Sequence, residues 1–211
     1  MSTAPNRQFT VEEYLAREER SELKHEYYRG EIFAMSGGSR NHSKITGNVY
    51  FQLRVALKGG PCRPSNSDQR IFIPKVGLHT YPDLSVVCGA PASESIDPNA
   101  NTNPTLLVEV LSPSTELYDR RQKFDFYKRI STLKEYVLVA QDEPRIERYV
   151  RGENGGWTLF TTVGINSEIN FDSIGCTMRL ADVYESVEFA EVEPTLIVEP
   201  PPTAESRRPH E

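Results

Sequence analysis

Two carboxylates and a lysine sit in this sequence where their neighbours argue against charge. In "HTYPDLSVVCG", residues 79–89, Asp83 opens a run whose Leu84, Val86 and Val87 are the aliphatic filling of a buried strand. In "LLVEVLSPST", residues 106–115, Glu109 lies inside an otherwise apolar run, where an ionised carboxylate needs a partner. Strands that end side by side can bring two such groups to one metal ion. Structural alternatives exist for both. Pro82 and Asp83 can form a turn in which the carboxylate accepts from a backbone amide, and Glu109 can pair with an arginine such as Arg70 or Arg120. The third residue emerges when "STELYDRRQKFDFYKRI" is projected as a helix at about 100° per residue. Phe126, Ile130, Lys123, Tyr127, Arg120, Phe124 and Leu117 share one sector, and Arg121, Gln122, Asp125, Lys128 and Arg129 fill the rest. Lys123 therefore faces inward. It can snorkel, neutralise Glu109, or act with the two acids as one site.

These residues need elements to hold them. Thr10 and Glu13 in "FTVEEYL" have capping-box spacing, which predicts a helix from Thr10 to about Arg20. "EYYRGEIFAMSGG" reads as a strand pair turning at Arg29-Gly30, with Ile32, Phe33 and Met35 in the second strand. From Ser39 to about Lys58, Ile45, Val49 and Leu53 recur at helical spacing, with Leu57 beyond, and Gly59-Gly60-Pro61 ends that helix. "QRIFIP", "DLSVVCG" and "TLLVEVLS" are strands, the last two apolar enough to be central and covered on both faces. After the lysine helix come strands at "EYVLVA", "RIERYVRG" and "GWTLFTTV", then a short helix near Leu180 to Glu185. The order fits one mixed sheet flanked by helices, and no glycine-rich phosphate loop follows a strand, which argues against a dinucleotide-binding fold.

Bulk properties limit the partners. A chain of 211 residues with 37% apolar content can bury one core. No stretch resembles a membrane span, and the charged N-terminal segment has no apolar signal region, so an intracellular, cytoplasmic protein is expected. Cys62, Cys88 and Cys176 form no CxxC pair and are expected to be free and reduced. The formal net charge of −6 means that any nucleic-acid contact must come from a local basic surface. From about Glu191 onward, Pro194, Pro200, Pro201, Pro202 and Pro209 punctuate a segment with one apolar run, Leu196-Ile197-Val198, which reads as a disordered tail.

Taken in order, "KHEYYRGEIFAM", "NHSKI", "YPDLSVV", "LLVEVLSPST", "RRQKFDFYKR" and "KEYVLV" resemble the PD-(D/E)XK phosphodiesterase superfamily. Within it they resemble the "putative restriction endonuclease" family of domain-of-unknown-function type, over roughly residues 8 to 188. The resemblance implies an α/β fold with a restriction-endonuclease-like core, a mixed central sheet flanked by helices, and a C-terminal antiparallel extension. That domain would occupy residues 1–190, with 191–211 as the tail. It implies Asp83 as the motif's aspartate and Glu109 as its second acid, together holding Mg2+ or, alternatively, Mn2+. The lysine expected two residues after the second acid is Leu111 here, and in this family its role looks to pass to the following helix, which matches Lys123. Glu26 and His42 also match family positions. Glu26 would bring an acid from the N-terminal part of the fold to the site, or pair locally with Lys24 or Arg29. His42 would contact the nucleic acid, or only complete its helix's first turn.

The implied chemistry is metal-assisted hydrolysis of nucleic-acid phosphodiesters, most simply of DNA; Arg120, Arg121, Lys128 and Arg129 would supply a local basic surface or form only a solvated helix face. The alternative is a catalytically idle nucleic-acid-binding or protein-interaction domain that keeps the fold. No separate recognition domain is visible, so specific cleavage of a long site would require a homodimer or a partner.

Overall fold

The structure, a computed structural model, describes residues 7–35 and 37–189. The Pro-rich tail lies outside the described residues. Helix α1, Val11–Glu18, starts at Thr10, whose hydroxyl accepts from Glu13 N–H at 3.2 Å while Thr10 N–H donates to the Glu13 carboxylate at 3.0 Å. The expected capping box is thus formed. Strands β1, His25–Tyr28, and β2, Glu31–Ala34, make the expected hairpin. Its turn residues Arg29 and Gly30 both have positive φ, 49° and 88°, as a tight two-residue hairpin requires.

Helix α2, Arg40–Ala56, buries Ile45, Val49 and Leu53 and is capped by the Ser39 hydroxyl. Five strands lie between α2 and the lysine helix: β3 Cys62–Asn66, β4 Ile71–Ile73, β5 Leu78–Thr80, β6 Leu84–Cys88 and β7 Leu106–Val110. That helix has three pieces: α3 Glu116–Tyr118, a π-helical turn over Asp119–Lys123, and α4 Phe124–Tyr127. Strands β8 Glu135–Val139, β9 Arg145–Arg151 and β10 Trp157–Val163 follow, then the hairpin β11 Glu168–Phe171 and β12 Cys176–Arg179, and α5 Leu180–Val183.

The mixed central sheet expected from the sequence is present, and among the described residues two smaller sheets that the sequence did not announce accompany it. Six strands form the main sheet in the order β10-β9-β8-β7-β6-β3, four form a smaller sheet in the order β2-β1-β5-β4, and β11-β12 stand apart. Among the described strands only β7 and β8 pair in parallel, joined by the lysine helix as crossover. One face of the main sheet packs on α2, β11-β12 and α5 through residues such as Leu53, Val108, Phe171 and Met178. The other packs on α4 and the small sheet through Leu107, Leu138, Tyr127 and Ile73. Full burial of each aliphatic residue contributes about 1.5–3 kcal/mol, so both faces of β7 are stabilised whatever its one carboxylate costs.

The cysteine expectation is corrected. Cys62 and Cys88 are paired in the antiparallel register of β3 and β6 and form a disulfide, leaving Cys176 as a buried free thiol among the described residues. Strand register, not spacing along the chain, brings them together. Among the described residues no helix is long and apolar enough to cross a membrane. Alkylation of denatured, unreduced protein should label one cysteine of the three, and all three only after reduction; labelling of three without reductant would contradict the pairing. Replacing Cys62 and Cys88 by serine should lower stability by about 3 kcal/mol, from the chain entropy that the cross-link removes from the unfolded state.

Candidate active site

Antiparallel pairing of β6 and β7 sets Leu84 opposite Val108, so the residue before β6 meets the end of β7. Asp83 and Glu109 therefore stand side by side. Val110 N–H donates to Asp83 Oδ2 at 2.7 Å, and Asp83 N–H donates to Glu109 Oε2 at a long 3.4 Å. From the first turn of α2, His42 Nε2 approaches Asp83 Oδ2 at 3.1 Å, a donation that places a proton on Nε2. Burial opposes a charged imidazole here. The hydrogen bond and charge of Asp83, with the charge of Asp119, outweigh it and raise the His42 pKa. Asp83 and His42 remain partly open to solvent, while Glu109 is closed off beneath them.

Lys123 forms the floor. Its Nζ lies 2.8 Å from Glu109 Oε1, 3.5 Å from Asp119 Oδ1 and 3.7 Å from Glu26 Oε1, with its side chain only 6% exposed. Tyr127 donates to the same Glu109 oxygen at 2.8 Å. Glu26 arrives on β1, held by the hydroxyls of Thr80 on β5 and of Tyr118. Burial alone would lower the lysine's pKa, but the charges of Glu109, Glu26 and Asp119 outweigh it and hold it well above its ordinary value. Lys123 is therefore an ammonium at neutral pH. Glu109 responds the other way. Burial, with the neighbouring charges of Asp119 and Asp83, pushes its carboxyl up to about 8 against the pull of Lys123. Burial also raises Asp119. The cluster thus carries more carboxylate than its cations balance.

The π turn explains what the helical projection captured and what it did not. Its wider i→i+5 winding separates two α-helical pieces that cannot share one wheel. Lys123, Phe124, Tyr127 and Ile130 are buried as projected, but Leu117, assigned inward, is 66% exposed, and Asp119 is buried. Tyr136 OH donates to the Asp119 carbonyl at 3.1 Å, partnering a group at the start of the irregular turn.

A cleft of about 370 Å³ is lined by Glu26, His42, Asp83, Glu109, Asp119 and Lys123, with Asp83 and His42 its more open members. The structure does not bring Arg120, Arg121 or Lys128 there. Arg120 is held by Glu116 and Glu147, Lys128 by Asp125 at 2.5 Å, and Arg121 is exposed outside the cleft. The arginines considered as partners of Glu109 are engaged elsewhere, since Arg70 pairs with Asp97. Asp119, Tyr127, Tyr118 and Thr80 are site residues that the sequence reading missed. Asp119 and Tyr127 stand four residues either side of Lys123, a spacing that could have flagged them.

A crystal structure described as a putative nuclease belonging to DUF820, from Anabaena variabilis, superposes on this chain with a TM-score of 0.67 at 17% identity. The match covers 83% of this chain and 97% of that one, and it shows that the two chains share a fold. The family model Uma2, described as "Putative restriction endonuclease", matches residues 11–181, and the chain belongs to this family. Two proteins of Synechocystis sp. are similar along almost their whole length. The uncharacterized protein slr1290 is 38% identical over 187 residues, 89% of this chain and 97% of that protein. The uncharacterized protein sll1609 is 36% identical over 171 residues, 81% and 97% of the two chains.

The raised Glu109 pKa has a signed consequence. Between its ordinary 4.5 and about 8, the folded state binds a proton that the unfolded state has released, so this carboxyl costs stability progressively as pH rises through that window. In EDTA, the melting temperature should fall from pH 5 to pH 8, and Glu109→Gln should remove most of the fall, on the order of a few kcal/mol. Parallel pH profiles for the two proteins would contradict the assignment.

Proposed function

We propose that this protein is a Mg2+-dependent endonuclease that hydrolyses phosphodiester bonds of DNA, with Mn2+ able to replace Mg2+. The observation that carries the reading is the Lys123 ammonium, 2.8 Å from Glu109 and at the floor of an open cleft shared with Asp83. Membership in a family described as "Putative restriction endonuclease" supports phosphodiester chemistry and points to DNA as substrate.

The donor set suits a hard cation. Mg2+ binds oxygen, keeps several waters and commonly takes only one or two protein carboxylates. Among the described residues no group of three or more His, Cys, Asp or Glu side chains is arranged to hold a metal, so the fit is to a two-carboxylate site, Asp83 with Glu109. Among the described residues no hydrogen bond engages Asp83 Oδ1, which is available as a ligand oxygen. When bound, the ion supplies positive charge to the phosphate and makes water a better nucleophile.

The chain's own residues do the rest. His42 and Val110 N–H fix the Asp83 carboxylate from one side. Lys123 cannot serve as a base while its pKa stays high; it is a donor, placed to stabilise charge that develops on the phosphate. Glu26 and Asp119 keep that ammonium charged and aimed, and Tyr127 orients Glu109. No covalent intermediate is needed.

Cleavage of plasmid DNA by protein shown to be free of host nuclease tests this. Wild type should cut with Mg2+ and not in EDTA, and Asp83→Asn and Glu109→Gln should each abolish cutting while remaining folded. Lys123→Met should slow single-turnover cleavage about 10²–10³-fold per folded molecule. It should also lower stability by up to roughly 3–5 kcal/mol, because three acids lose their shared cation. Wild-type rates from either carboxylate variant would refute the metal site, and a near-normal rate per folded Lys123→Met would reduce the lysine to a compensating charge.

A further inference from the structure

The sequence from Ile32 to Ser67 contains no Asp or Glu and five Lys or Arg, within a chain of net charge −6. Most of this acid-free segment is α2 and the turn into β3. At about 100° per residue, Arg40, Gly47, Phe51 and Arg54 fall within about 60° of one another, opposite the buried Ile45, Val49 and Leu53, and Lys58 follows just beyond the helix. All five are exposed, Phe51 at 64% and its neighbour Val55 at 57%. Among the described residues no carboxylate pairs with Arg40, Arg54, Lys58 or Arg63. At the end of α2 the surface dips into a groove of about 540 Å³ lined by Phe51, Arg54, Val55, Lys58, Cys62 and Arg63, with no acid in its lining. Lys44 lies near the edge of the same face but is already engaged, donating to the Ser186 carbonyl at 2.5 Å with the Glu188 carboxylate 3.9 Å away.

From these positions we infer that the outer face of α2 and the adjoining groove bind a single-stranded flank of the nucleic-acid substrate. Three cations at the groove match the charge of a phosphate backbone, and the exposed Phe51 that shares the groove with them offers a stacking platform that only an unpaired base can use. The face spans about 27 Å from Arg40 to Lys58, enough for several nucleotides, and its first residue lies beside the cleft at the N-terminus of α2. The choice of partner rests on the nuclease reading of that cleft. The cationic helix face with Arg121 and Arg129 is the competing surface, though Arg120 and Lys128 beside it are already paired.

Fluorescence anisotropy of a labelled oligothymidylate of about 20 nucleotides, titrated in EDTA over a range of salt, tests the assignment without requiring cleavage. Failure of the nuclease reading would leave this readout intact. The triple variant Arg54→Gln, Lys58→Gln, Arg63→Gln should keep the wild-type melting temperature and bind at least tenfold more weakly. Its log Kd against log salt slope should fall by about 2, near 0.7 per lost phosphate contact. Phe51→Ala should weaken single-strand binding about tenfold and leave duplex binding unchanged. Unchanged affinity and salt slope in the triple variant would overturn the proposal. So would equal loss in Arg121→Gln, Arg129→Gln, which would mark a net-charge effect, or loss of binding to phosphatidylserine vesicles with oligonucleotide binding retained, which would mark a membrane surface.

Discussion

One buried ammonium organises this protein's cleft. Lys123 is almost wholly withdrawn from water, and it is tolerable there only because Glu109, Asp119 and Glu26 surround it from three different elements. Each partner demands a piece of architecture. Glu109 requires β7 at the middle of the main sheet, Glu26 requires the N-terminal hairpin folded back as part of a second sheet, and Asp119 requires the π turn. Breaking any of these placements would leave charge buried without compensation.

The compensation is incomplete in the electrostatic sense: Asp83 adds a fourth carboxylate, and burial first, then the charges of Asp119 and Asp83, raise the Glu109 pKa. A core free of these groups would be more stable, since well-packed apolar residues commonly outperform buried ion pairs. The two apolar layers on either face of the main sheet carry that cost. A cluster short of positive charge is suited to receive a cation and an anionic substrate together, which connects the fold's buried charge with its proposed chemistry.

Much of this was legible in the sequence where local patterns decide structure. The capping box at Thr10, the turn at Arg29-Gly30 and the apolar face of α2 each depend on residues within a turn or two of one another. Asp83, Glu109 and Lys123 stood out because charge interrupted apolar patterns. What escaped depends on pairing between distant segments. Strand β3 is polar and contains Pro64, so it carries no strand signature, and it survives as an edge strand where a missing N–H is tolerated. The disulfide follows from its register with β6, and the small sheet depends on β1 meeting β5 some fifty residues away. Leu117 was misplaced for a different reason, because a wheel drawn at constant pitch cannot represent a π turn.

The claim on which the account turns is that Asp83 and Glu109 form a cation site rather than the charged lining of an ion-paired core. Isothermal titration calorimetry of Mg2+ into the purified protein addresses it directly, because it registers binding whether or not any substrate is cut. The account predicts a saturable heat from wild type that is lost in the Asp83→Asn, Glu109→Gln double variant while the variant remains folded. The same heat from both proteins, or none beyond dilution from either, would contradict it.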